Sequence, residues 1–160
     1  MELHNSKIDI SKVNREKLIA ILNQSLADAM DLKSQAKHAH WNVKGPNFIA
    51  LHELFDRVAT EIEAHVDEIA ERITTLGGTA LGTVRIAAEQ SALPQYPLEI
   101  TDGTAHVDAL SSALADFGKR VRKNIDETDE LGDADTADLF TGVSRAIDKL
   151  LWFVEAHNQA

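Results

Sequence analysis

One apolar repeat limits what the first half of this chain can become. Between residues 51 and 76, apolar side chains recur every three or four positions, the spacing of one face of an α-helix: Leu51, Leu54, Val58, Ile62, Val66, Ile69, Ile73 and Leu76. A helix with such a face must bury it against other elements. Gly77 and Gly78 follow, as expected where a left-handed residue ends a helix. The segment after Gly45 and Pro46 is therefore predicted to be one long amphipathic helix.

Three other long segments have the same helical period: residues 11–41, 103 to about 125, and about 133–135 to the end. The links within the first and last pairs are short. Residues 79–102 form a long connection with two prolines and a short helix at about 84–90. This order resembles that of ferritin-like bundles. We expect a short N-terminal tail, residues 1–10, and one all-α domain, residues 11–160: a ferritin-like four-helix bundle with a long crossover between helices two and three.

The composition limits the chemistry of such a bundle. The chain has no cysteine, so disulfides and thiolate sites are excluded and a metal ion can be bound only by His, Asp and Glu. The net charge of −10 repels nucleic acid and anionic membranes and attracts cations. No apolar leader and no apolar stretch long enough to span a bilayer occurs. We therefore expect a cytoplasmic protein that makes no use of a membrane.

The second helix carries two pairs of candidate metal ligands on a face of its own. His52 and Asp56 are spaced i,i+4, and so are Asp67 and Glu71. At about 100° per residue, all four lie within roughly 100° of one another. With His52 set at zero, the apolar face centres near ~280°. The ligand face thus points outward from the bundle, onto a surface that only a partner could cover.

The two pairs are too far apart to share an ion within one chain. Asp56 and Asp67 lie roughly 16 Å apart along the helix axis. The four residues are, however, symmetric about one point near the middle of the helix. A second copy crossing antiparallel about a two-fold axis would bring His52 and Asp56 beside the partner's Asp67 and the partner's Glu71. Because an isologous dimer makes each contact twice, two equivalent sites would form.

Imidazole nitrogen and carboxylate oxygen together suit iron, zinc or manganese better than calcium. His40, at the end of the first helix, is a natural further ligand, and Trp41 places an oxidisable ring beside it. A solvated surface is the alternative, because His and acidic residues four apart are common on exposed helices. One pair alone would favour that alternative, and the spacing of both pairs fits either interpretation.

Three segments closely resemble the Dps family, the miniferritins: "AHWNVKGPNFIALHELFD", "HVDEIAERITTLGGTALG" and "DADTADLFTGVSRAIDKLLWFVEAH". The likeness covers nearly the whole chain from about residue 18. It implies a dodecameric hollow shell, a homo-oligomer with ferroxidase centres at its two-fold interfaces. There iron(II) would be oxidised, preferably by hydrogen peroxide rather than oxygen, and stored as ferric mineral in protection against oxidative stress.

Matched residue by residue, the resemblance implies iron ligands His40, His52 and Asp56 from one subunit and the partner's Asp67 and the partner's Glu71. The spacing alone led to the same division. The Glu-x-x-His motif of ordinary ferritins, which holds both irons inside one bundle, does not occur. The site is therefore expected between subunits.

Other residues near these ligands are candidates for further roles. Trp41, with Trp152 as a second candidate, is expected to donate an electron when only one iron is bound; interface packing is the alternative. His38 and His65 are candidates for an extra ligand with which zinc would compete with iron; for His38, the alternative is a favourable interaction with the helix dipole. Glu63 lies on the ligand face and is a candidate for steering iron. The remaining histidines are expected to be ordinary surface residues: His4, His106 and His157.

Residues 126–138 contain seven acids. The resemblance places a negatively charged three-fold pore in this segment, and Asp133, Asp135 and Asp138 are the candidates for guiding iron(II) through it. The alternative is a solvated loop in which Asp135 caps the fourth helix.

The N-terminus departs from the DNA-binding members of the family, which commonly use a mobile basic tail. The first twelve residues carry Lys7 and Lys12 against Glu2 and Asp9, so counterion release would be small and DNA binding weak or absent. Two alternative functions remain open. One is a nucleoid-associated protein that protects DNA, with secondary iron chemistry; the other is a zinc-filled shell without catalytic activity.

Overall fold

Four long helices and one short helix make up the computed structural model, which describes residues 3–159. The helices are α1 Lys12–Asn42, α2 Phe48–Thr75, α3 Val84–Gln90, α4 Gly103–Glu130 and α5 Ala134–Glu155. α1 packs mainly on α2, and α4 mainly on α5. The predicted four-helix bundle is confirmed, with α3 inside the long crossover as expected. In the described range, no helix is long and apolar enough to cross a membrane.

The apolar repeat forms the buried face of α2, which sets where its other face points. Its buried members include Leu51, Val58, Ile62, Ile69 and Ile73, and they share the core with buried phenylalanines of α2, α4 and α5, namely Phe55, Phe117 and Phe140. α2 ends in a Schellman motif. Gly77 has a φ of +86°, and the Gly78 N–H donates to the Ile73 carbonyl at 2.9 Å.

α4 extends further than the sequence predicted, to Glu130 rather than about residue 125. Thr128 is fully buried, and its hydroxyl donates to the Asn124 carbonyl at 2.8 Å. Gly132, with a φ of +80°, follows the helix. Part of the acidic segment 126–138 therefore belongs to the last turn of α4 and not to a loop. The buried Thr128 anchors this turn, whose other residues are mostly acidic.

The N-terminal segment and the crossover are both fastened to the bundle. Among residues 3–10, Leu3, Ile8 and Ile10 pack against the core, and the His4 N–H donates to the Gly77 carbonyl at 2.8 Å. In the crossover, the Ala92 N–H donates to the buried Asp28 carboxylate at 2.8 Å. These contacts leave one face of α1 and α2 uncovered.

Candidate metal centre

Two histidines from different helices hold each other in place at the junction of α1 and α2. His40 Nδ1 lies 2.7 Å from the His52 carbonyl oxygen, and His52 Nδ1 lies 2.8 Å from the His40 carbonyl oxygen. Their rings stack with centroids 3.8 Å apart and planes 22° apart. The turn at Gly45 (φ +113°) brings the two helix ends together, so both rings are fixed by backbone atoms.

These hydrogen bonds determine which nitrogen can bind a metal. A carbonyl oxygen only accepts, so Nδ1 must carry the proton in both His40 and His52. In the neutral rings, each Nε2 then presents a lone pair. A backbone carbonyl bound to the second ring nitrogen is the usual support of a metal-ligating histidine. The two hydrogen bonds therefore leave both Nε2 atoms free to bind a metal ion.

Asp56 lies beside the two imidazoles and is paired with a lysine. Lys37 Nζ is 2.6 Å from Asp56 Oδ1. The hydrogen bond from Lys37 lowers the pKa of Asp56, and the charges of Lys37 and of the neighbouring His40 and His52 lower it further. The ammonium occupies one oxygen of a predicted ligand, so a metal ion that uses that oxygen must displace Lys37.

The other half of the predicted ligand set is separate within the chain. Asp67 and Glu71 are exposed on α2 and make no ion pair within residues 3–159. Over the same range, no group of three or more His, Asp and Glu side chains is placed to hold a metal ion. Within the described residues, one subunit therefore pairs His40 with His52 but does not complete a metal site by itself.

A cleft of about 990 Å³ is lined by α1, α2, α3 and the rest of the crossover. Trp41 and Asp67 line it, together with His38 and Tyr96 from its inner wall. The Trp41 indole is 68% exposed, and the Lys37 ammonium lies 5.6 Å from its ring centroid. An exposed indole beside a set of metal ligands can pack against a partner or give up an electron.

The three residues left open by the sequence have identifiable neighbours. Glu63 pairs with Lys33, and Lys33 lies four residues before Lys37 on α1, so two lysines of α1 pair with acids of α2. His65 Nδ1 lies 2.9 Å from Glu68 Oε2. His38 Nδ1 is directed toward the Asn42 amide at 3.5 Å. None of them joins His40 and His52 within the chain.

Asp133 is not available to line a pore, contrary to its assignment from the sequence. It is 2% exposed, caps α5 by accepting the Thr136 N–H at 3.1 Å, and accepts Arg72 Nη2 at 2.7 Å. Burial raises its pKa, but the hydrogen bonds from Arg72 and Thr136 outweigh burial, so the pKa is lowered. Asp133, rather than Asp135, is thus the N-cap of α5, whereas Asp135 and Asp138 are exposed.

His106 is also placed differently from the sequence expectation. It is fully buried, and its Nδ1 lies 2.8 Å from the Tyr96 hydroxyl. A lone histidine near a helix start gives no sign of burial, but the hydrophobic positions one and four residues later, Val107 and Leu110, mark this face of α4 as internal. Lys37 was likewise missed as a partner of Asp56; its place one turn before His40 and Trp41 was the available signal.

Comparisons with known proteins place this arrangement in a family. A model of the ferritin-like domain matches residues 19–160, which agrees with the helical bundle described above. The chain is 46% identical to the "DNA protection during starvation protein" of Agrobacterium fabrum over 159 residues, 99% of this chain and 98% of that one.

Solved structures agree with the sequence comparison. Mycobacterium smegmatis Dps, in a tetragonal form, superposes with a TM-score of 0.94 at 31% identity, covering 99% of this chain and 96% of that one. DpsC from Streptomyces coelicolor gives a TM-score of 0.94 at 30% identity, covering 99% and 92%. The chain belongs to the Dps family of ferritin-like proteins.

Proposed function

We propose that this protein is a ferroxidase and iron-storage shell that oxidises iron(II) with hydrogen peroxide at sites shared between two subunits. One observation supports the proposal: the reciprocal His40–His52 bonds leave two Nε2 lone pairs free, yet the described residues of one chain contain no group of three or more His, Asp and Glu side chains placed to hold a metal ion. A half-built site on an uncovered face requires a second subunit. The partner's Asp67 and the partner's Glu71 would complete it, and a dodecamer would repeat it at every two-fold axis.

The donor set explains the direction of the chemistry. Anionic carboxylates stabilise iron(III) more than iron(II), so binding lowers the reduction potential and favours oxidation. Two irons at one site would supply both electrons that reduce hydrogen peroxide to water. No hydroxyl radical would then be released. Iron is the substrate in this scheme, and the ferric product passes to the shell interior.

Lys37 carries a positive charge that a bound metal ion would replace. In the absence of a cation, its ammonium offsets Asp56 on a half-exposed surface. A divalent ion has the larger charge and binds Asp56 together with the imidazoles, so it displaces the ammonium. The adjacent pair of Lys33 and Glu63 would respond in the same way to ions passing along α2.

Of the three acids proposed to guide iron, only the exposed Asp135 and Asp138 are assigned to its path here, and the buried Asp133 is not. Asp135 and Asp138 face solvent near the start of α5, where three subunits would create a negative field that attracts cations. Asp133 supports this segment from below through Arg72. Zinc has the same preference for imidazole and carboxylate and would compete at the two-fold site.

DNA binding by this chain is proposed to be weak or absent, although its relative in Agrobacterium fabrum is named for DNA protection. Three apolar residues among 3–10 are packed on the core, which is unlike a free basic arm. The net charge is −10 per chain, so an assembly repels the phosphate backbone. Retention of duplex DNA at physiological salt in a gel-shift assay would contradict this.

The proposed activity is tested by loading iron(II) anaerobically and then adding hydrogen peroxide or oxygen. Ferric absorbance should rise fast with peroxide in the natural protein and fail to do so in the double variant Asp67→Ala/Glu71→Ala. The matched control is Glu68→Ala, which removes an exposed acid of the same helix outside the ligand set. Equal rates of oxidation in all three proteins would show that iron is not oxidised at the two-fold site. Tight zinc binding without iron oxidation would favour the catalytically silent shell.

A further inference from the structure

A buried tyrosine and a buried histidine lie against the inner wall of the same cleft. Tyr96 is 6% exposed and His106 is fully buried, and their only polar contact with each other is the 2.8 Å separation of the Tyr96 hydroxyl and His106 Nδ1. Their rings are near-parallel, 20° apart, with centroids at 6.0 Å. Tyr96 is also the single tyrosine of the chain.

The protonation states make Tyr96 the donor in this pair. Burial raises the pKa of Tyr96, so the phenol keeps its proton. Burial also lowers the pKa of His106, and the neighbouring His38 lowers it further, so the ring is neutral and Nδ1 can accept. The Ile100 backbone and the Asp102 carboxylate act in the opposite direction and raise the pKa of His106.

Tyr96 and Trp41 line the same cleft, and His38 lies between them in the order of contacts and sequence. The His38 ring meets the Tyr96 ring edge to face, with centroids 5.4 Å apart. Trp41 follows His38 by three residues on α1, the spacing of neighbours on one helix face, and Trp41 is adjacent to the ligand His40. Trp41, His38 and Tyr96 all line the cleft that also contains Asp67.

We propose that Tyr96 is a reserve electron donor to the site and that His106 is the base that receives its proton. The step applies when a site holds one iron. Hydrogen peroxide then takes one electron from iron(II) and one from Tyr96, and with two protons from solvent it becomes two waters. The phenolic proton moves to His106 Nδ1, which leaves iron(III), a neutral tyrosyl radical and an imidazolium. The missing second iron is thereby replaced without release of hydroxyl radical.

This inference rests on the proposed oxidation of iron(II) by peroxide, and one experiment separates the two. The assembled protein is given less than one iron(II) per two-fold site, mixed with hydrogen peroxide and freeze-quenched for electron paramagnetic resonance, while ferric absorbance is followed in parallel. The natural protein should show a tyrosyl radical whose spectrum narrows when the chain contains ring-deuterated tyrosine. Tyr96→Phe should lose the signal, and its spin-trapped hydroxyl radical should increase.

The histidine is tested by His106→Gln, with His157→Gln as the matched control at an exposed histidine. The first should lose most of the tyrosyl signal and the second should keep it. Ferric absorbance that rises without any tyrosyl radical in the natural protein would overturn the inference and leave the proposed function standing. Absence of ferric absorbance would overturn the function itself. A signal unchanged in His106→Gln would refute the role of His106.

Discussion

Removing the carboxylate of Asp133 should destabilise the protein strongly, although the sequence suggested that this acid serves iron uptake. Its side chain accepts hydrogen bonds from Arg72, from the Thr136 N–H and from the Thr136 hydroxyl. Arg72 Nε in turn donates to the Thr136 hydroxyl at 2.9 Å, and the Arg72 side chain is 15% exposed. The network ties the end of α2 to the start of α5.

The magnitude follows from what each substitution leaves behind. Asp133→Ala removes a helix cap, which costs about 1 kcal/mol, and leaves a largely buried guanidinium without its partner, which costs roughly 3–5 kcal/mol. The unpaired guanidinium alone should lower the thermal midpoint of a domain of this size by roughly 6–20 °C. Asp133→Asn keeps a capping oxygen and should lie between the natural protein and Asp133→Ala.

The assay is scanning calorimetry of the assembled protein, with Asp135→Asn as the control at a neighbouring exposed acid. The pH dependence has a definite sign. Because the folded pKa of Asp133 lies below its ordinary value of 3.8, its contribution is present above that value and is lost as pH falls through the lowered pKa. The gap between the natural protein and Asp133→Asn should therefore close in acid. Equal midpoints at pH 7 would refute the network.

Three further outcomes are expected. Lys37→Gln should bind zinc more tightly at pH 7 in calorimetric titration, because no ammonium has to leave Asp56; weaker binding would contradict the displacement of Lys37. Asp138→Asn combined with Asp135→Asn should slow iron uptake into the shell without changing the thermal midpoint, and unchanged uptake would exclude these acids from the path. Gly132→Ala should cost about 1 kcal/mol in denaturant unfolding, because its φ of +80° strains an L-residue; an unchanged free energy of unfolding would refute that strain.

The helices were predictable wherever apolar periodicity and glycine caps coincide. The body of α2 followed from the spacing of its apolar residues, and its end followed from Gly77 and Gly78; the short helix α3 was also expected within the crossover. The end of α4 could not be predicted in this way, since its last turn is acidic and only the buried Thr128 anchors it. A single buried polar residue gives no periodic signal.

The sequence predicted which candidate ligands each subunit would contribute, but not the contacts that these residues make within the chain. The symmetric spacing of candidate ligands on α2 predicted a site shared between subunits, and that site stays a prediction; the structure adds the stacking of His40 on His52. The pairing of Asp56 with Lys37 depends on how α1 and α2 pack, which no local pattern encodes. The same holds for Arg72 with Asp133 and for Tyr96 with His106, whose partners are distant in the sequence or buried by tertiary packing.

The most direct test of a site shared between subunits is complementation within one shell. His52→Ala and Glu71→Ala chains are each expected to be inactive when assembled alone, because every site then lacks a ligand. In shells assembled from equal amounts of both chains, half of the two-fold pairs are mixed, and each mixed pair regains one complete site. Peroxide-driven iron oxidation should therefore return to roughly a quarter of the natural rate. Mixed shells as inactive as either parent would show that the ligands belong to one chain and would contradict this account.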